Sequence, residues 1–216
     1  MRSFSISYSA NIRLSWLCAL LAVALAVLVL TAPAAAKKKK SPDPEELFNP
    51  LLGIEYSHWL VGPIAEIADE AEVEEYLELV DDGEAASFIE AFWQRRNEGT
   101  GFFEETPQQL FEKRAEEADK RFTVGAFPGR RSDRGTIYIL FGEPEEIDHP
   151  QPKKVGEPTL EVWKYPKDAA AGLGGEKPKT TYRFIRVGDQ TFFYTAASAQ
   201  RRAIEDRRHP RHPPPG

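Results

Sequence analysis

Arg130, Arg131, Asp133 and Arg134 fall within five residues of each other, in "GRRSDRGTIYILFGEPEEI" (Gly129–Ile147). Three guanidinium groups at this spacing suit an anion such as a carboxylate or phosphate. Asp133, with Arg134 beside it, is the candidate for acid–base work, or it could orient one of the arginines. The same residues have a second reading. Gly129, Ser132, Asp133 and Gly135 are turn formers, and turn residues commonly precede a buried apolar run.

The remaining reactive side chains are sparse. The chain has four histidines, His58, His149, His209 and His212. His209 and His212 are three apart, but Pro210 prevents a helix from presenting both on one face, and no further ligand lies near them. His149 sits between Asp148 and Pro150 without a serine or cysteine nucleophile signature. Glu104 and Glu105 form a loop pair that a glycosidase could use, although most glutamates here fall on the solvent faces of predicted helices. "AGLGGEK" lacks the eight-residue spacing of a phosphate-binding loop and reads as a linker. No metal ligand set or cofactor motif is expected.

The N-terminus bounds the setting. Arg2 and Arg13 precede an apolar run from Leu14 to Leu30, and Ala34 and Ala36 then give A-x-A spacing. This is the pattern of a secretory signal peptide cleaved after Ala36. Lys37–Lys40 follow, and such a basic flank favours the alternative of an uncleaved anchor with the domain in the cytoplasm. Without residues 1–36 the chain has 26 basic and 34 acidic side chains, a net charge of −8, and no cysteine. That argues against nucleic-acid binding and leaves no disulfide or thiolate chemistry.

The elements that position these residues read as α+β, with helices first and strands afterwards. Helices are expected over 69–82, 84–97 and 106–122. Val73, Tyr76, Leu77 and Val80 share one face of the first, which Gly83 ends. Phe88, Ile89, Phe92 and Trp93 line the second. Thr106 caps the third, and Pro107 takes its first position. Pro63 interrupts any helix begun at Tyr56 or Trp59. Four strands are expected: 136–141, read as central because it is apolar on both faces, then 160–165, 180–187 and 190–195. The last two flank Gly188–Asp189, a hairpin signal. The expected architecture is about three N-terminal helices packed on a C-terminal antiparallel sheet of about four strands. The divisions are a leader (1–36), a charged Pro-rich linker (37–55), one α+β domain (56–196) and a basic Pro-rich disordered tail (197–216) containing a short helix.

From Trp59 to about Tyr194 the chain resembles the GWxTD domain family of bacterial, mostly exported, proteins. The resemblance is carried in order by "WL" (59–60), "FIEAFWQRRN" (88–97), "FEKRAEEADKRF" (111–122), "GRRSDRGTIYILFGEPEEI" and "EVWKYP" (161–166). The family's naming motif is Gly-Trp-x-Thr-Asp, followed by Arg-Gly, a strand and Gly-x-Pro. Here it reads Gly129-Arg130-Arg131-Ser132-Asp133, with arginine in place of tryptophan and serine in place of threonine. The resemblance implies an exported domain and supplies no catalytic residues. Three readings follow. One is a non-enzymatic envelope protein, periplasmic or secreted, that binds another protein or an envelope component. Another is a hydrolase-like enzyme using Asp133. The third is a membrane-anchored protein, in which residues 14–30 would be the sole contact with the membrane.

Overall fold

The computed structural model describes residues 44–101, 104–152 and 157–208. The leader with its Ala36 site, Phe102–Phe103, and His209 and His212 lie outside them.

The helical part builds the first core. A short 3-10 turn (Pro44–Leu47) leads to the buried Asn49, whose amide donates to the carbonyls of Tyr76 (3.1 Å), Leu77 (3.3 Å) and Leu79 (2.9 Å). Those carbonyls lie at the end of a helix, where intrahelical donors run out; Tyr76 O also accepts from Leu79 N (3.3 Å), and the asparagine both caps the helix and anchors the incoming chain. No helix runs through Tyr56 and Trp59 into Pro63; the proline itself begins one, α1 (Pro63–Ile67), because the first helical position needs no N–H donor. Helix α2 (Glu70–Glu78) is opened by a reciprocal capping box between Asp69 and Glu72. It stops at Glu78, and Gly83, expected to end it, belongs to the first turn of α3 (Asp82–Asn97). Leu60, Ile64, Tyr76, Phe88, Phe92 and Trp93 pack together. The Trp59 ring meets Tyr76 at 4.8 Å and Phe92 at 5.0 Å. Arg95 and Arg96, in the last turn of α3, both bind Glu72, at 2.9 and 2.5 Å.

Helix α4 (Pro107–Phe122) begins as expected, with Thr106 and Gln109 forming a capping box and Pro107 in the first turn. A 3-10 turn (Gly129–Arg131) then leads into α5 (Asp133–Phe141). Residues 136–141 are therefore helical and not the central strand expected. Leu140 points into the first core, while Ile137 and Ile139 point into the second. A helix placed between two cores is apolar on both sides, and over six residues that pattern matches a buried strand. The ends decide: Ser132 caps one, and Gly142 at φ 79° closes the other.

Four strands still form, because β1 (Glu146–Asp148) replaces the lost one. It pairs with β2 (Leu160–Lys164), then β3 (Thr181–Val187) and β4 (Gln190–Phe193), in the order β1-β2-β3-β4, all antiparallel. The hairpin turn falls at Gly188–Asp189 as the spacing predicts, with Gly188 at φ 59°. Trp163 pairs with Tyr182, and Glu161 with Phe184, on one face of the sheet. There Trp163, Tyr165, Tyr182 and Phe184 pack on Ala115, Ala118 and Phe122 of α4 and on Ile137 and Ile139 of α5. The opposite face, bearing the buried Val162 and Ile185, packs against α6 (Ala196–Arg208). The short helix expected in the 197–216 stretch is this one, 13 residues long and beginning at Ala196. The Gly-rich stretch expected to be a flexible linker is docked as well. Leu173 N donates to Leu140 O (3.1 Å), and a Cβ on Gly172 would lie 2.4 Å from that same oxygen.

Candidate functional site

The motif lies where α4, α5 and the β3–β4 hairpin meet, and each of its residues has a traceable position. Gly129 sits against α4. A Cβ there would lie 2.0 Å from Ala118 O and 2.9 Å from Asp119 Cα. Its N–H donates to Thr123 Oγ1 (2.9 Å). Arg130 binds Asp119 of α4 twice, through its backbone N (2.7 Å) and its Nε (2.6 Å). Ser132 caps α5: its Oγ accepts from Gly135 N (3.0 Å) and donates to Gly129 O (2.7 Å). Gly135 allows the start of α5 to rest on the turn, since a Cβ there would be 1.9 Å from Gly129 O.

Asp133 reaches across to the sheet, and its Oδ2 accepts from Phe193 N at 2.5 Å. Phe193 lies on the edge strand β4 with its N–H turned away from β3, since Tyr194 N is the next one directed inward, to Arg183 O. The carboxylate thus takes the place of an absent fifth strand. Burial pushes the Asp133 carboxyl above its usual range, with the Phe193 N–H and the Arg201 charge acting the other way. Arg134 donates from Nη1 to Glu161 Oε2 (3.2 Å), and its guanidinium lies 4.9 Å over the Phe122 ring. Its Nε is buried without a hydrogen-bond partner.

Glu161 is the group the sequence reading missed. It accepts from Trp163 Nε1 (2.7 Å) and Arg134, and His149 Nε2 stands 3.9 Å away. Strand alternation could have found it. A carboxylate two residues from Trp163 shares that residue's core-facing side, and a charge there needs a partner.

A cleft of about 50 Å³ opens beside this joint, walled by Phe122, Phe127, Arg131, Arg134, Gln190 and Phe192. That is room for one or two waters. Arg131 lines it and, among the described residues, has no carboxylate partner, unlike Arg130 and Arg134. The other sequence candidates lie apart. Glu105 pairs with Lys113 (3.0 Å), while Glu104 accepts from Gly101 N (3.2 Å). His58 Nδ1 meets Ser57 Oγ at 3.0 Å, and its ring packs on Phe48. Among the described residues, no group of three or more His, Cys, Asp or Glu is placed to hold a metal ion.

A family profile for the GWxTD domain matches residues 54–192, well over half of the chain. The chain belongs to the GWxTD family. No curated protein and no solved structure matches it significantly. The matched span runs from ahead of α1 into β4 and takes in most of both cores, leaving out Leu47 and Leu52 of the first. In this GWxTD domain, Arg130 occupies the tryptophan position of the motif and closes on Asp119, so a charged pair stands where the pattern has a ring. Ser132 in the threonine position provides the same capping hydroxyl. The strand expected after the motif is the helix α5.

Proposed function

We propose that this GWxTD protein is exported to the bacterial cell envelope and acts there by binding or scaffolding, not by catalysis. One observation carries the reading. Three of the motif's four charged side chains are engaged in joining the fold: Arg130 to Asp119, Arg134 to Glu161, and Asp133 to the Phe193 N–H. A group that acts on a substrate must present open valences to it, and these spend theirs on α4 and the sheet. The signal-like start of the chain supports export. Among the described residues, no helix is long and apolar enough to cross a membrane. N-terminal sequencing of the native protein from separated cell fractions tests export. A start at Lys37 outside the cytoplasm is the expected result; a retained Met1 in a cytoplasm-facing protein overturns it.

The hydrolase reading draws on a different observation. Asp133 is half-buried, its carboxyl pushed up by burial, and it lines the cleft together with Arg131, a combination found at functional sites. It requires a hydrolytic activity in the purified protein that Asp133→Asn abolishes while the melting temperature stays unchanged.

A further inference from the structure

Four of the large apolar side chains that stand exposed gather at one corner of the helical lobe: Phe48, Leu51, Ile54 and Val80. Leu51, Ile54 and Val80 are 64%, 88% and 64% exposed, more than any other residue of their kind among those described. The corner is held in shape. Asn49, 1% exposed, ties the segment carrying Phe48 and Leu51 to the carbonyls of Tyr76, Leu77 and Leu79, directly before Val80. Gly53 N donates to Asp82 Oδ1 (2.8 Å), directly before Ile54. A segment pinned by a fully bonded buried amide does not expose three aliphatic side chains through fraying, and a clustered apolar surface of this kind marks an interaction site.

Charge identifies what covers it. From Ser41 to Gln94 the sequence has no lysine or arginine and fifteen aspartates and glutamates. Glu55, Glu78 and Glu84 stand exposed beside the apolar corner, with Asp81 and Asp82 between them. A second copy docking through the same face would set this acidic rim against itself, since a two-fold interface is self-complementary. An anionic lipid surface would be repelled in the same way. A partner with an apolar face flanked by lysines and arginines matches both features. We propose that the Phe48–Leu51–Ile54–Val80 corner docks a cationic amphipathic segment of a partner protein. This rests on the binding reading above and names the partner's chemistry.

The test uses the full-length protein and a Leu/Lys amphipathic peptide of about five helical turns. A Leu/Glu peptide of the same pattern and phosphatidylglycerol vesicles serve as comparisons. The double variant Leu51→Ser/Ile54→Ser keeps every charge and alters only exposed side chains, so its melting temperature should match that of the wild type. Wild-type protein is expected to bind the Leu/Lys peptide alone, less tightly as salt is raised. The double variant should bind it at least about tenfold more weakly. Equal binding by both proteins would reduce the effect to bulk charge and overturn the proposal. So would no binding by the wild type, preference for the Leu/Glu peptide or the vesicles, or a wild-type dimer that the double variant abolishes. Each of these results removes this surface and leaves the binding reading, which stands or falls separately on the cell-fraction sequencing and the Asp133→Asn assay.

Discussion

Gly135→Ala reverses an ordinary rule. Gly135 lies inside α5 without a positive φ, and alanine at such a helical position normally stabilises by about 0.5–1 kcal/mol. Here the added Cβ would sit 1.9 Å from Gly129 O and 2.8 Å from its carbonyl carbon. An ordinary carbon–oxygen contact needs about 3.3 Å, so α5 and the turn must part by roughly 1.4 Å. The turn has nowhere to retreat, because Gly129 is itself in contact with Ala118 and Asp119 of α4. Separation stretches the Ser132 Oγ bond to Gly129 O and the paired bonds from Arg130 to Asp119. Overpacking costs about 1–3 kcal/mol and each lost hydrogen bond about 1 kcal/mol. Even after the helix gain, a net loss of about 3 kcal/mol remains. For a domain of this size that lowers the melting temperature by roughly 6–12 °C. Thermal melts followed by circular dichroism read it directly. A variant that melts at or above the wild-type temperature would refute the close-packed joint.

Other outcomes follow from the same contacts. Ser132→Ala removes the cap of α5 and should cost about 1–2 kcal/mol in urea unfolding, with Ser132→Thr close to wild type. Burial alone would raise the Glu72 carboxyl, but hydrogen bonds from Arg96 and Arg95 outweigh it and hold the pKa down at about 2, against an ordinary 4.5. That difference corresponds to about 3 kcal/mol, present above pH 4.5 and lost as pH falls towards 2. Glu72→Gln should therefore be destabilised by about 2–4 kcal/mol at pH 7 and converge with the wild type in acid melts. Asp133 has the opposite sign. Its raised folded pKa favours the protonated fold, so its contribution to stability declines as pH rises from 3.8 through the folded value. Asp133→Asn should flatten that part of the stability–pH curve, measured by urea titration.

Helix α3 was legible from its apolar stripe, and α4 because a cap at Thr106-Pro107 marked its start. The hairpin was legible from Gly188–Asp189 alone. Residues 136–141 were not, because β-branched and aromatic residues favour strands while tertiary burial on two sides imposed a helix. The joint itself was half legible. Its turn formers were evident, but the partners that engage its charges, Asp119, Glu161 and Phe193 N, lie 11 to 60 residues away. Local pattern carries no information on such pairings. The same distance hides which arginines are engaged: Arg131 and Arg134 both line the cleft, but Arg134 pairs with Glu161.

The claim that the motif is a structural joint is tested most directly by exchange of the Phe193 backbone amide, measured in Asp133→Ala against the wild type. If Asp133 takes the place of a missing strand, the alanine variant should exchange this amide at least about tenfold faster. Unchanged protection of Phe193 in Asp133→Ala would contradict the account and leave the carboxylate free for chemistry.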